Sequence, residues 1–494
     1  MRQPDRDCRT TVVMAPHVIA FIARLNTGMR SIGMIRARSE SASATRELRA
    51  LKDTLTTRQK LLTTEPTRPM DEQSRDMMLR DIVCPFCSLC CDDLTARHNG
   101  RHLEVADNGC AQAARGFAIE GPGEGLHHAQ ISGTPCTPEE AISHAAILLG
   151  NAQQPLFGGL GTDVAGARAL LRLADHCGAT FDHMNSSAML RNLLVVQDSG
   201  WMTTTLTEVR NRADVLLVFG AGIEQHMPRF YQRIFNGDES MFAEHPPARE
   251  LVLIGNFTAA PPVDASIRTT LIPCSTTGLG DIAMGMRALL NGATLQAETI
   301  AGVSRERLQT CVERLQAARY GVVAWTAAEL DFPHAELAVQ AFCELARSLN
   351  ATTRCSGLPL GGNNADHTFA QVATWQTGYP TRTSLAGARP EYDPVKYNGE
   401  RMLRDNEADA LLWVSAFDNR RTPPHTDIPT IVLGPPGMQP GRTCDVFLPV
   451  ATPGLDHAGH VFRCDTVAIL PLRGLRQAEH PAVSDTVNAL LKRL

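Results

Sequence analysis

From residue 141 onward, the sequence alternates short apolar runs with longer segments of helical periodicity. Seven of these runs lack polar alternation, and each predicts a strand: 215–219, 251–254, 269–272, 321–324, 410–414, 430–433 and 446–449. Strands without alternation are buried on both faces, as in parallel sheets that are covered by helices. The pattern therefore predicts an α/β fold.

A strand followed by a helix is also predicted near the start of this region. Residues 155–157 lead into a glycine-rich turn at 158–161, and a helix is expected over 164–176. Its apolar positions share one helical face: Val164, Ala167, Leu170, Leu171 and Ala174. Asp163 stands immediately before this helix and is well suited to be its N-cap.

A weak internal repeat suggests two related sheets. Asn211-Arg-Ala-Asp214 followed by Val-Leu-Leu-Val matches Asn406-Glu-Ala-Asp409 followed by Ala-Leu-Leu-Trp-Val. One interpretation is a common helix-to-strand turn that occurs twice. The favoured interpretation is duplication of a Rossmann-like unit. Neither copy carries G-x-G-x-x-G at a strand end, so the sequence gives no local support for dinucleotide binding.

Length and charge narrow the function classes. A chain of 494 residues exceeds one ordinary core, and at ~150 residues per domain it predicts two to four domains. The net charge of -5 indicates neither a nucleic-acid surface nor a membrane patch. No apolar run approaches the ~20 residues that cross a bilayer. We expect a soluble, cytoplasmic protein.

The first eighty residues differ from the rest. They are rich in Arg, Ser and Thr and lack strand patterns. An apolar stretch at 12–23 resembles a signal peptide, but Pro16 and His17 interrupt it and no clear cleavage site follows. The favoured interpretation of 1–80 is a disordered extension or a start assigned too far upstream.

Five of the fourteen cysteines crowd between positions 84 and 110. Cys84, Cys87 and Cys91 form C-x2-C-x3-C, and Cys110 is a fourth thiol that a short returning hairpin would bring back. This spacing is typical of a 4Fe-4S cluster, with Cys90 as a spectator. A zinc site, a disulfide pair and a purely structural loop remain alternatives. The cysteines that stand singly are expected to be small buried apolar residues.

Other catalytic patterns are absent from the sequence. It contains no G-x-S-x-G, no H-E-x-x-H and no P-loop. His127-His128 and Asp456-His457 with His460 are candidate metal-ligand clusters. The favoured interpretation is that they are solvated loop residues, because no third ligand stands at a helical spacing.

The cysteine loop resembles the start of molybdopterin oxidoreductases, and specifically the B subunit of formylmethanofuran dehydrogenase. Further segments resemble that family in its order: Asp198-Ser-Gly-Trp201, Glu208 to Asp214, His226-Met-Pro-Arg229, Thr374 to Pro380 and Arg389 to Pro394. The resemblance covers about 81–494. It implies a small N-terminal Cys-rich domain at 81–135, followed by two Rossmann-like parallel-sheet units at 136–318 and 319–494.

The resemblance also implies a chemistry, and the sequence departs from it. In that family the B subunit holds a bis-pterin tungsten or molybdenum site beside the cluster, and a cysteine or selenocysteine after the first strand ligates the metal. The corresponding segment here, 156–164, has no cysteine. Asp163 is an oxygen donor in that segment, although the N-cap role is favoured for it. The pterin cofactor is therefore doubtful.

The departure resembles the bacterial formyltransferase/hydrolase complex, in which the A and D subunits carry the chemistry. It implies a noncatalytic scaffold in tetrahydromethanopterin-dependent one-carbon metabolism, with the sibling A, C and D subunits as partners. Two alternatives remain open. One is an active molybdenum or tungsten dehydrogenase subunit, and the other is a zinc-stabilised binding protein on an old oxidoreductase fold.

Overall fold

The computed structural model describes residues 77–99, 102–119, 128–236, 248–441 and 444–494. The predicted extension over 1–80 falls outside these ranges except at its end, and His127 falls outside them too. The first strand begins at Met77, so the boundary placed at residue 80 cuts through this strand. Within the described ranges no helix is long and apolar enough to cross a membrane.

The secondary structure matches the predicted pattern closely. The strands are β1 (Met77–Ile82), β2 (Leu94–Asn99), β3 (His102–Asp107), β4 (Ala129–Ile131), β5 (Thr134–Cys136), β6 (Pro155–Gly161), β7 (Thr180–His183), β8 (Val215–Phe219), β9 (Glu250–Gly255), β10 (Arg268–Pro273), β11 (Thr299–Ile300), β12 (Val303–Ser304), β13 (Gly321–Thr326), β14 (Cys355–Leu360), β15 (Thr383–Ser384), β16 (Glu391–Tyr392), β17 (Ala410–Ser415), β18 (Thr430–Gly434), β19 (Val446–Pro449), β20 (Gly459–Phe462) and β21 (Ile469–Leu472). All seven predicted strands are present, with ends that differ by at most two residues.

The helices complete the two faces of the sheets. The α-helices are α1 (Ala111–Phe117), α2 (Pro138–Asn151), α3 (Val164–Cys177), α4 (Ser186–Asp198), α5 (Leu206–Arg212), α6 (Ile223–His226), α7 (Leu279–Leu290), α8 (Arg305–Ala317), α9 (Glu336–Leu349), α10 (Asp366–Thr377), α11 (Gly399–Arg404) and α12 (Val483–Leu491), with a π-helical turn at Tyr231–Phe235 and a 3-10 turn at Thr276–Gly278. The helix predicted over 164–176 is α3. Asp163 is its N-cap, as expected.

Two sheets organise the fold. One has the order β10-β9-β8-β13-β14, and its strands are all parallel. The other has the order β16-β15-β7-β6-β17-β18-β19-β4-β5, with a parallel centre from β7 to β19. Every residue of β6, β8 and β13 is buried, which explains the missing polar alternation. The predicted mixed α/β fold with parallel sheets is confirmed.

The two copies of the internal repeat lie at equivalent positions, because each directly precedes a central strand of its sheet. Strands β8-β9-β10 and β17-β18-β19 each run outward from a central strand, and β13-β14 and β6-β7 lie on the opposite sides. Asp214, before β8, accepts hydrogen bonds of 2.7 and 3.0 Å from the backbone N–H groups of Arg319 and Tyr320, before β13. Asp409 accepts bonds of 2.6 and 2.9 Å from the two residues before β6. Each Asp ties a central strand to its neighbour, which favours duplication over coincidence.

The division into consecutive units at 136–318 and 319–494 does not hold. Strands β8 to β10 precede that boundary and pair with β13 and β14 beyond it, whereas β6 and β7 pair with β17 to β19. The five-stranded unit is inserted between strands of the larger sheet. Neighbouring strands in each sheet come from distant parts of the chain, so a single boundary in the sequence cannot separate the two sheets.

The cysteine-rich segment is not a separate core either. It contains the antiparallel sheet β1-β2-β3 and helix α1. Phe86, Leu94 and Phe117 share one hydrophobic cluster with Leu216 and Val218 of β8. The predicted end of this domain at residue 135 is also wrong, because β4 and β5 belong to the nine-stranded sheet.

Candidate functional site

The four cysteines that the sequence singles out lie around one small pocket, called here the cysteine pocket. Cys84, Cys87, Cys91 and Cys110 line it, and Cys90 does not. The first three are buried and Cys110 is half-buried. The four cysteines predicted as ligands thus line one pocket and the predicted spectator does not, while their role as cluster ligands stays a prediction.

Backbone hydrogen bonds shape the loop that carries three of these thiols. The N–H of Cys84 donates to the carbonyl of Cys91 at 2.8 Å, and the N–H of Cys90 donates to the carbonyl of Cys87 at 3.1 Å. Cys90 adopts a positive φ of 50°, and its thiol lies 3.9 Å from the carbonyl oxygen of Phe462. The left-handed conformation of Cys90 therefore places its sulfur outside the set of thiols that line the cysteine pocket.

The fourth thiol arrives on a hairpin, as predicted. Strands β2 and β3 pair in antiparallel fashion and return the chain to Cys110. This residue is the N-cap of α1, and its sulfur accepts a hydrogen bond of 3.5 Å from the N–H of Ala113. The cap fixes the sulfur at the pocket wall.

Two arginines hold the cysteine loop from outside. Arg229 donates two hydrogen bonds of 2.7 Å to the Asp93 carboxylate and another to the carbonyl of Asn108. Arg233 binds the same carboxylate at 2.9 Å and also pairs with Asp92. Burial alone would raise the pKa of Asp93, but these arginines lower it below its usual range. Bidentate pairs of this kind are strong, so the loop is clamped to the segment that follows α6.

Burial makes the thiols weak acids. It raises the pKa of Cys84 well above its usual range and that of Cys87 to about 12. It raises the pKa of Cys91 to about 11, against the opposing charges of Arg229 and Arg233. A metal that binds these sulfurs must displace their protons, so its affinity will rise with pH.

The prediction of solvated loop residues holds only in part for the histidine candidates: His128 is exposed and lies in no helix or strand, whereas His460 lies in β20. The Asp456 carboxylate accepts a hydrogen bond from the N–H of Thr452 at 2.7 Å and pairs with Arg476 at 2.6 Å. His457 uses Nδ1 on the carbonyl of Ala458, and His460 is exposed. No group of three or more His, Cys, Asp or Glu side chains in the described ranges is positioned to hold one metal ion.

At the end of β6, where the resemblance implies a metal ligand, the protein's own groups make close contacts. The Asp163 carboxylate accepts a hydrogen bond of 2.9 Å from the N–H of Gly166 and is used as the cap of α3. A Cβ at Gly161 would lie 2.8 Å from the carbonyl oxygen of Asn364. This contact is too close for any side chain without a backbone shift.

The glycine turn after β8 is filled as well. The Glu329 carboxylate accepts hydrogen bonds from the N–H groups of Ala221 at 2.9 Å and Gly222 at 2.7 Å. A Cβ at Gly220 would lie 2.3 Å from this carboxylate. Successive N–H groups of this kind bind anions such as phosphate, and here the anion is the protein's own. After β6 the chain offers no thiol, so the protein ligand that the resemblance implies for a bis-pterin metal group is missing there.

Two larger cavities adjoin at the carboxyl ends of the parallel strands. The first, the arginine cavity, measures about 580 Å3, and Arg115, Arg420 and Arg421 are among its lining residues. The second measures about 660 Å3 and is lined by apolar residues such as Trp201 and Leu358 and by charged ones, Asp366 and Asp465 among them. Asn363 and Arg421 line both. Sequence reasoning missed the three arginines, although Arg420 and Arg421 stand in the loop that follows a predicted strand.

Comparison with known proteins finds relatives that are B subunits of two related kinds of enzyme complex. No protein-family model matches the sequence. The B subunit of a tungsten-containing formylmethanofuran dehydrogenase from Methanocaldococcus jannaschii is 27% identical over 405 residues, covering 79% of this chain and 92% of that protein. The B subunit of the formyltransferase/hydrolase complex from Methylorubrum extorquens is 27% identical over 380 residues, covering 74% and 96%.

Solved structures agree with these relatives. A chain of the formyltransferase/hydrolase complex from Methylorubrum extorquens, crystallised with methylofuran, is 25% identical with a TM-score of 0.63, covering 74% of this chain and 98% of that chain. Acetylene hydratase from Pelobacter acetylenicus, 8% identical with a TM-score of 0.52, covers 84% and 69% and shares the fold alone. The chain is therefore similar to the B subunits of formylmethanofuran dehydrogenase and of the formyltransferase/hydrolase complex, which confirms the resemblance that its motifs indicate.

Proposed function

We propose that the chain is the B subunit of a formylmethanofuran dehydrogenase-like formyltransferase/hydrolase complex in tetrahydromethanopterin-dependent one-carbon metabolism. Its fold is of the molybdopterin-oxidoreductase type, and its partners are the sibling A, C and D subunits. The solved relative comes from such a complex, and nearly the whole of that chain is covered. The role of this subunit is that of a noncatalytic scaffold.

One observation carries the scaffold role. The segment after β6 offers no thiolate, Gly161 has no space for one, and the Asp163 carboxylate already caps a helix. A metal ion held by pterins alone would lack the protein ligand that ties it to the chain and tunes it. The residues that remain there stabilise the fold.

Co-expression with the A, C and D subunits tests this role. We expect the four chains to elute together in size-exclusion chromatography and the complex to transfer and hydrolyse the formyl group. Asp163→Asn, which keeps the size of the side chain, is expected to leave both activities intact. Elution of this chain alone, with full activity in the other three, would contradict the scaffold.

The cysteine pocket supports a second element of the proposal, a 4Fe-4S cluster held by Cys84, Cys87, Cys91 and Cys110. Zinc needs four ligands that meet at one point about 2.3 Å from each sulfur. The described thiols share a pocket without forming such a single-ion site. A 4Fe-4S cluster instead needs four thiolates arranged tetrahedrally around it, each bound to one iron atom.

Anaerobic reconstitution with iron and sulfide distinguishes these metals. We expect about four iron atoms per chain and a broad visible absorption from a 4Fe-4S cluster. Cys87→Ser should lose both signals, whereas the matched control Cys90→Ser should keep them. Stoichiometric zinc that iron cannot replace, or equal loss in both variants, would contradict the cluster.

The retained cysteines also favour an alternative function, an active molybdenum or tungsten dehydrogenase subunit. A cluster usually transfers electrons, and a scaffold has no need of one. Metal content and formate oxidation by the assembled complex decide between the two.

A further inference from the structure

Arg229 contacts both of the segments that carry the predicted cluster ligands. Its two terminal nitrogens donate hydrogen bonds of 2.7 Å to the Asp93 carboxylate, and Asp93 stands two residues after Cys91. The Nη1 atom also donates to the carbonyl oxygen of Asn108, which stands two residues before Cys110. One guanidinium group therefore ties the loop with three thiols to the segment that brings the fourth.

The orientation of this guanidinium group is fixed. Its Nε–H donates to the Oε1 atom of Gln232 at 2.9 Å, so each of the three nitrogens has an acceptor. The Arg229 side chain is only 7% exposed, and it lines the cysteine pocket together with Pro228. The planar fork of an arginine bonds in one geometry, so it holds the two segments in a fixed arrangement around the pocket.

Arg233 lies beside Arg229 but makes a different set of contacts. It pairs with Asp93 at 2.9 Å and also with Asp92, and both of these carboxylates belong to the cysteine loop. It does not line the cysteine pocket. Arg233 therefore adds positive charge at the loop, whereas Arg229 also joins the loop to the segment of the fourth thiol.

Arg229 brings a positive charge to the wall of the pocket as well. The Asp93 side chain that pairs with it is 27% exposed, whereas the guanidinium group is nearly buried. An iron–sulfur cluster with four thiolate ligands is negatively charged, and its reduction potential depends on nearby charges and hydrogen bonds. Removal of the positive charge should therefore lower that reduction potential.

We propose that Arg229 is a positioning residue for the 4Fe-4S cluster. Its fork holds the segments of Cys91 and Cys110 together around the pocket, and its charge raises the reduction potential of the cluster. This role rests on the proposed cluster, because Arg229 binds no metal itself. The two contributions can be separated, since Lys keeps the charge but lacks the planar fork.

Two measurements on the reconstituted full chain test the role of Arg229. The rate of iron release to a chelator reports how firmly the cluster is held, and spectroelectrochemical titration gives its midpoint potential. Arg229→Gln is expected to release iron about tenfold faster than the unchanged protein, because a residue that orients the metal ligands is lost. Its midpoint potential should be lower. Arg229→Lys is expected to restore the potential but not the slow release of iron.

Arg191 supplies the matched control. It also donates to a carboxylate and to a backbone carbonyl, that of Asp331 at 2.5 Å and that of Ala327 at 2.8 Å, but it does not line the cysteine pocket. Arg191→Gln should leave iron release and midpoint potential unchanged. Circular dichroism and thermal melting verify that each variant is folded.

The possible failures are distinguishable. If the unchanged protein takes up no iron, the proposed cluster is refuted, and the role of Arg229 with it. If the unchanged protein holds its iron, and folded Arg229→Gln protein releases iron at the same rate and has the same potential, only the role of Arg229 is refuted. Equal effects in Arg191→Gln would also overturn this role. Where Arg229→Gln fails to fold, Arg229→Lys decides, because iron release as slow as in the unchanged protein would contradict the role of the fork.

Discussion

Glu329 offers a quantitative test of the turn that closes the end of β8. Replacement of Glu329 by Ala removes both acceptors from the N–H groups of Ala221 and Gly222. Gly222 is buried and Ala221 is half-buried, so water reaches the N–H of Ala221 more easily than that of Gly222. Glu329→Gln keeps one side-chain oxygen and should have a smaller effect.

The magnitude follows from the loss of these two bonds. A buried donor left without a partner costs about 1 to 3 kcal/mol. With one N–H buried and the other partly hydrated, we expect Glu329→Ala to lower the free energy of unfolding by about 2 to 4 kcal/mol. Asp331 is the control in the same loop: it pairs with Arg191, but its side chain is 87% exposed. Asp331→Asn should cost only about 0 to 1 kcal/mol.

Urea unfolding followed by tryptophan fluorescence measures the difference. Trp325 lies fully buried in β13, just before the Glu329 loop, and will report its environment. A fall in the midpoint at constant m-value indicates lost stability. If Glu329→Ala and Asp331→Asn shift the midpoint equally, the carboxylate does not hold the turn.

Three further predictions concern the fold. Burial lowers the pKa of His183 below its ordinary 6.5, so the unfolded chain binds the proton more readily than the folded chain. The free energy of unfolding should therefore fall as the pH drops below 6.5. In His183→Gln the urea midpoint should depend less on pH between about pH 7.5 and 5.5. Asp163→Ala should cost about 1 kcal/mol through loss of the α3 cap, and an unchanged melting temperature would contradict this role. Asp214→Ala should speed hydrogen exchange at the amides of Arg319 and Tyr320, as measured by mass spectrometry, with unaltered exchange counting against the tie.

The sequence predicts those strands that packing makes uniformly apolar. It misses β7 because Asp182 and His183 interrupt the apolar pattern although both are buried. It misses β14 because Gly357 and Pro359 argue against a strand. This strand lies at the edge of the five-stranded sheet, where a proline is tolerated.

For the site too, the sequence predicts the parts that depend on local spacing and misses those that depend on contacts between distant residues. The spacing of Cys84, Cys87 and Cys91 is local, and the fold only has to bring Cys110 back on a hairpin. Arg229 could be recognised as part of a family segment but not as the clamp of the cysteine loop, because its partner Asp93 is 136 residues away in sequence. Pairings over such distances depend on the tertiary fold.

Metal content and formate oxidation of the assembled complex test the scaffold role most directly. The complex is purified from cells supplied with molybdate and tungstate, and both metals are quantified per chain. Formate oxidation is then measured with an artificial electron acceptor, beside an Asp163→Ala complex. The account predicts neither metal at stoichiometric level and no formate-dependent reduction of the acceptor. One molybdenum or tungsten per chain, with turnover that Asp163→Ala abolishes, would contradict it and establish a redox enzyme.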